Sequence, residues 1–231
     1  MIIGSGMLAN AFMLNYSSRK DVCVYASGVS NSSCIDGEQF ERERLCVLNA
    51  IKNNINTEVF LYFGTCSIYD PSRVSTAYVQ HKIKMEQYVR QHPRYLIIRL
   101  PQIAGKTSNP NALLNYLYSC ISREETFKMW IKAKRNIISV DDVVLIVDRV
   151  IEDKSVINST INIANPNNYS MPEIIQSIEN VTGKRASYEI MDSGDEYIIE
   201  TVYMKSILSK TNVVFCKNYL ENALREYYKK N

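Results

Sequence analysis

The sequence predicts an α/β fold in which a parallel sheet is wound on both faces by helices. Three observations carry this. Short apolar runs that suit buried strands alternate with longer segments of helical period along most of the 231 residues. A glycine-rich turn, Gly4-Ser5-Gly6, separates the first apolar run from the first helical segment. No repeat or low-complexity tract interrupts the alternation.

The elements follow in order. Met1–Ile3 is a very short strand, and residues 7–16 read as a helix. Val22–Ala26 is a strand, followed by the polar loop Ser27–Asp36. Glu38–Asn53 spaces Phe40, Leu45, Leu48, Ala50 and Ile51 among charges, as an amphipathic helix does. Glu58–Phe63 is β-rich, Thr76–Arg90 helical, and Tyr95–Leu100 a strand stopped by Pro101. Asn109–Ile121 and Val140–Ile151 are helical, and residues 157–164 carry a strand. Ser170, Pro172 and Glu173 form a helix start, and Gly183 stops that helix. Tyr188–Ile190 is strand-like, and Leu220–Tyr228 is the last helix. The predicted units are an α/β half over 1–165 and a small lobe over 166–231.

Composition excludes several classes. Apolar residues make up 46% and charged residues 22%, with a net charge of +3, and no dense Lys/Arg run marks a nucleic-acid surface. No stretch reaches the ~18 apolar residues of a membrane span. Six scattered cysteines and two histidines, His81 and His92, offer no metal-ligand spacing, so no metal is expected. The cysteines read as reduced, buried thiols of a cytoplasmic protein.

Gly4-Ser5-Gly6-Met7-Leu8-Ala9 fits G-x-G-x-x-G/A. Such a loop makes a tight turn, lets the backbone approach a pyrophosphate and aims a helix N-terminus at it. The alternative is a tight turn that binds nothing. An acid is expected about 20 residues on, to hold the adenosine ribose. The next strand instead ends Val24-Tyr25-Ala26-Ser27-Gly28. Either the cofactor is NADP(H), or the strand that normally carries the acid is absent.

Tyr78 and Lys82 stand four apart on a predicted helix and share one face. At ~4 Å and an effective dielectric near 20, the ammonium would draw a phenol from ~10 toward ~7, before desolvation opposes it. Tyr16 and Lys20 have the same spacing. Only Tyr78 follows a strand end with a hydroxyl, Thr65, so Tyr16 is expected at a solvated helix end. His81 reads as a surface or packing residue, His92 as a helix-end residue, Asp141-Asp142 as an N-cap, and Arg123-Glu124-Glu125 as a solvated face. Trp130 is either a base contact or a hydrophobic anchor.

These residues resemble the extended short-chain dehydrogenase/reductases, which modify nucleotide sugars. Phe63-Gly64-Thr65-Cys66-Ser67-Ile68-Tyr69 is similar to the family's strand-end S/T-x-x-V-Y-G segment, and Tyr78-Val79-Gln80-His81-Lys82 to its Y-x-x-x-K. Arg99-Leu100-Pro101-Gln102-Ile103 resembles the following strand and proline. Residues 135–142, RNIISVDD, resemble R-D-F-I-H-V-D-D. The resemblance implies a Rossmann-like sheet in which Val22–Gly28 is the family's fourth strand. About two adenosine-side strands would then be missing. It also implies that 1–165 is a cofactor-binding half, with 105–135 contributing to the substrate site, that 166–231 is a substrate-binding lobe, and that Thr65, Tyr78 and Lys82 are catalytic. Gly4, Ser5, Gly6, Met7, Leu8, Ser27, Gly28, Lys82 and Pro101 would bind the cofactor, and Arg135, Gln102 and Asn109 the substrate. A second family arginine is replaced by Asp192. Cys66-Ser67 stand where 4,6-dehydratases carry Asp-Glu, which argues against dehydration.

The expected activity is NAD(P)H-dependent reduction of a keto group, at C4, on a nucleotide-linked deoxysugar, with NADP(H) favoured over NAD(H). A 4-epimerase with bound NAD is the alternative, and a non-catalytic binding module the second. A nucleotide sugar is the expected partner, with a homodimer possible and neither nucleic acid nor membrane involved.

Overall fold

The computed structural model describes residues 1–228. Ile2–Ile3 (β1) leads through the glycine turn into Met7–Tyr16 (α1) and then Val22–Tyr25 (β2). Gly37–Asn53 (α2), Val59–Thr65 (β3), Ala77–Val89 (α3) and Tyr95–Leu100 (β4) continue the alternation. Gln102–Ala104 (β5), Leu113–Arg123 (α4), Thr126–Trp130 (β6) and Lys134–Ser139 (β7) follow. Then come Val140–Glu152 (α5), Ser159–Asn162 (β8), Asn168–Ser170 (β9) and Met171–Thr182 (α6). Ser187–Met191 (β10), Val202–Leu208 (α7) and Tyr219–Tyr228 (α8) complete the order.

The main sheet runs β1-β2-β3-β4-β8, with every pair parallel. Strands covered on both faces should be apolar throughout rather than alternating. The runs Val22-Cys23-Val24-Tyr25 and Val59-Phe60-Leu61-Tyr62-Phe63 are so, and all nine residues are buried. Their side chains divide by parity. Val22, Val24, Leu61 and Phe63 pack with Phe12 and Tyr16 of α1 and with Val143 and Val147 of α5. Cys23, Tyr25, Phe60 and Tyr62 pack with Val47 and Ile51 of α2 and with Met85 and Val89 of α3.

β1 pairs with β2 directly, and among the described residues no strand lies beyond β1. The adenosine-side strands are therefore missing, as expected from the single helix between β2 and β3. The deletion has a geometric result. Each step from β1 to β4 moves the same way across the sheet, yet α1 lies on one face and α2 and α3 on the other. The β1–α1–β2 unit is thus opposite in hand to the two units that follow.

A second core joins Leu114, Leu117 and Ile121 of α4, Phe127 and Met129 of β6, Ile174 and Ile178 of α6, and Leu220 and Leu224 of α8. It therefore draws on residues from both sides of position 165, while Met204, Ile207 and Val213 return to the first core. Here β6 pairs in parallel with β10, and β7 lies between β5 and β9. Ser170 and Glu173 make a reciprocal capping box on α6, with Pro in its first turn and Gly183 in the left-handed conformation at its end. Ser139, not the acidic pair, caps α5 through the Asp141 amide; Asp141 and Asp142 accept hydrogen bonds from Tyr227 and Tyr219. The helix expected from Asn109 begins at Leu113, because Asn109 caps a turn at Asn111 instead. All six cysteines are free; Cys46 and Cys216 are exposed rather than buried, while the other four are buried. No described helix is long and apolar enough to cross a membrane.

Candidate active site

A cleft of about 370 Å³ opens at the carboxyl ends of β1 to β4. Its lining brings together Ser5, Gly6, Met7 and Leu8 from the glycine turn, Ser27 and Gly28 after β2, and Thr65, Tyr78, Lys82 and Pro101. Gln102 and Asn109 also line it. Arg135 does not. It lies on β7, with its guanidinium donating to the carbonyls of Lys134 at 2.8 Å and Asp195 at 3.3 Å. Asp192 pairs with Lys132 at 2.9 Å on the surface. Trp130 is half exposed on β6, and Glu124 takes the left-handed conformation that ends α4.

The glycine turn is shaped for close approach. Gly4 has φ +133°, and a Cβ there would stand 2.4 Å from the Ala26 carbonyl oxygen. Gly6 precedes α1 with no side-chain cap, so the first-turn amides of α1 have no such partner where they border the cleft. A Cβ on Gly6 would meet nothing within 4 Å, which leaves room for a bound group.

Thr76 caps α3 through the Val79 amide, and this places Tyr78 and Lys82 one turn apart toward the cleft. Thr65 ends β3 and caps the tight turn Cys66–Tyr69 by accepting from the Ser67 amide at 3.1 Å. Tyr78 is buried. Burial pushes its phenol above the usual tyrosine range; Lys82, Thr65 and Arg73 pull it down, and Glu43 pushes it up again. The expectation of a phenol lowered toward neutrality is therefore corrected. Spacing revealed the nearby ammonium, but not that desolvation outweighs it or that a countercharge offsets it.

That countercharge comes from α2. Glu43 is fully buried, and its carboxylate accepts from Lys82 Nζ at 3.0 Å and from Tyr62 Oη at 2.8 Å. It also accepts from the Val29 amide at 2.7 Å and contacts His81 Nε2 at 2.9 Å. His81 is thus a buried partner and not a surface residue. Gly28 is required beside this cluster, because a Cβ would lie 2.7 Å from Lys82 Nζ and 2.8 Å from Glu43 Oε1. Glu43 was missed from sequence, yet a signal existed. It shares a helix face with Val47, Ala50 and Ile51, and a carboxylate on an apolar face needs a partner.

One further expectation changes. Tyr16 is buried, not solvated: its ring packs on Phe12, and its hydroxyl donates to Asp148 at 2.5 Å. His92 stands just past the end of α3, as expected, and is buried there with a hydrogen bond to the Asn54 carbonyl oxygen at 2.9 Å.

The sequence model of the NAD dependent epimerase/dehydratase family matches residues 26–164. This chain belongs to that family. No curated protein matches the chain. Solved structures with the same fold include a UDP-glucuronic acid 4-epimerase from Bacillus cereus in complex with UDP-glucuronic acid and NAD. It is 18% identical, with a TM-score of 0.71, over 90% of this chain and 74% of that one. A UDP-glucose 4-epimerase from Thermotoga maritima with UDP-glucose is 17% identical, with a TM-score of 0.70, over 96% and 81%. RMD from Pseudomonas aeruginosa complexed with NADPH is 12% identical, with a TM-score of 0.75, over 96% of both chains.

The cleft suits the family's cofactor in part. The uncapped α1 N-terminus and the open Gly6 suit a pyrophosphate, and Lys82 and Pro101 line the same cleft. Among the described residues the sheet ends at β1.

Glu43 also gives a prediction for acid stability. Burial alone would raise its carboxyl, but Lys82, His81 and the Val29 amide hold it at about 2, below its ordinary 4.5. A depressed carboxyl contributes stability that is fully present above 4.5 and lost as pH falls toward 2. Thermal unfolding from pH 6 to pH 2.5 should show the wild type losing more stability below pH 4.5 than Glu43→Gln. Parallel losses would contradict this.

Proposed function

We propose that this chain reduces a keto group, at C4, on a nucleotide-linked deoxysugar, with NADPH preferred over NADH. The observation that supports it most is the convergence of Thr65, Tyr78 and Lys82 with the α1 N-terminus in one cleft. A nicotinamide, when bound, supplies hydride to the carbonyl carbon. Tyr78 then gives its phenol proton to the carbonyl oxygen, and solvent restores that proton. Thr65 Oγ1 holds the same oxygen by a hydrogen bond. Lys82 holds the nicotinamide ribose and stabilises charge on Tyr78 as the proton leaves. Gln102 and Asn109 face the sugar. Burial keeps Tyr78 in its phenol form, so it carries the proton that reduction consumes.

The sheet that ends at β1 also favours this direction. A reductase exchanges its cofactor every turnover, so a weak hold on the adenosine side suits it.

A second reading is 4-epimerisation, favoured by the UDP-sugar 4-epimerases among the similar structures. It would use the same residues but must retain NAD through an oxidation and a reduction. One experiment separates the two. Purified protein is mixed with a panel of 4-keto nucleotide sugars and either NADPH or NADH, and nicotinamide absorbance is followed. Stoichiometric cofactor oxidation, faster with NADPH at limiting concentration, is expected. No oxidation, with NAD retained after purification and UDP-sugar C4 epimers interconverted, would overturn the reductase reading.

A further inference from the structure

The surroundings of Lys82 contain more than a Tyr-x-x-x-Lys turn requires. Lys82 is buried, and its Nζ lies 4.8 Å from the Tyr62 ring centroid while bonded to Glu43 Oε1 at 3.0 Å. The same oxygen accepts from Tyr62, and the other accepts from the Val29 amide and meets His81 Nε2. His81 is fixed in turn by stacking on Phe40, with ring centroids 4.4 Å apart and planes at 18°. Glu43 therefore has four partners from three separate segments. A charge this deeply buried is tolerated only when paired and hydrogen-bonded, and this one is both. The pair also confines the ammonium, which the backbone of Gly28 closes from the other side.

We propose that Glu43 is a positioning residue for the reduction: it fixes the Lys82 ammonium and pairs its charge, so that Tyr78 rests as the proton-bearing phenol. The proposal rests on the reductase reading above and deepens it. An unpaired lysine one turn from a tyrosine favours phenolate, the form that abstracts a proton from an alcohol. A lysine already paired with a carboxylate does so far less, and the site rests poised to give a proton. Lys82 of α3, Glu43 of α2, Thr65 at the end of β3 and Arg73 before α3 act on Tyr78. Around Glu43 stand His81 and Lys82 of α3, Tyr62 of β3 and Tyr25 of β2.

Glu43→Gln tests this, because it keeps an acceptor for Lys82 but removes the charge. The alkaline limb of kcat for ketone reduction should move down by about one pH unit, as Tyr78 ionises earlier. Glu43→Asp, which keeps the charge, should restore a limb near that of the wild type. A packing role would lower stability or kcat without moving the limb, so a Glu43→Gln limb that coincides with the wild type overturns the proposal. A second measurement needs no substrate and separates failure here from failure of the reductase reading. Tyrosine labelled with 13C at Cζ is titrated by NMR, and the Tyr78 signal is assigned by its loss in Tyr78→Phe. The wild-type signal should remain that of a phenol through about pH 9, and Glu43→Gln should ionise earlier. A wild-type Tyr78 signal that ionises below about pH 9, or a Glu43→Gln signal that ionises no earlier than the wild type, overturns the proposal.

Discussion

Tyr78→Phe is expected to fold, to bind cofactor and to lose roughly 10²- to 10⁴-fold in turnover, the usual cost of deleting a general acid. The phenol oxygen is the only atom removed, and the ring keeps its packing with Val29, Cys34 and Val79. Tyr16→Phe is the control, since Tyr16 also carries a lysine four residues on. Tyr16 lies on the first core, away from the cleft, with its hydroxyl on Asp148. Its loss should leave turnover intact and cost about 1 kcal/mol of stability, the net worth of one hydrogen bond. Turnover on a reduced 4-keto sugar and thermal unfolding of both variants check this. Wild-type turnover in Tyr78→Phe would refute the mechanism.

Gly4→Ala is expected to have the largest effect on the fold. Two independent penalties coincide there. The backbone sits at φ +133°, which side chains rarely adopt, and the new Cβ would meet the Ala26 oxygen at 2.4 Å and its carbonyl carbon at 2.6 Å. The obstacle is backbone of the neighbouring strand's end, which cannot swing aside. Relief would separate β1 from β2, and among the described residues β1 has no other strand partner. A loss of about 3 kcal/mol or more follows. Gly37→Ala is the contrast, because a Cβ there meets nothing within 4 Å and its φ is ordinary. It should be neutral or slightly stabilising in thermal unfolding. Equal melting temperatures for the two variants would contradict the account.

What was legible in the sequence is what neighbouring residues decide. Val22–Tyr25 and Val59–Phe63 announced buried parallel strands because both faces are covered. Ser170, Pro172 and Glu173 announced a helix start because a cap is a contact across three residues. The order of β1, β2 and β3 followed from counting the helices between them. Less legible was β6, a five-residue strand in which only Phe127 and Met129 are buried. The helix α7 escaped because it is short and gains its place by packing Met204 and Ile207 on the first core. The Glu43 cluster depends on partners separated by 14, 19, 38 and 39 positions, which no local pattern connects. Burial sets the direction of the Tyr78 shift and Glu43 adds to it, and neither is visible in the Tyr78–Lys82 spacing.

The short strand at the open margin of the main sheet bears on how the molecule behaves in concentrated solution. A long exposed edge presents a row of free amides and carbonyls that can template pairing between molecules. β1 offers only Ile2 and Ile3. An incoming strand could close about two hydrogen bonds there, each worth about 1 kcal/mol net. Ordering each residue of that strand would cost about 1–2 kcal/mol. The balance is unfavourable, so an edge of two residues is too short to seed edge-to-edge aggregation.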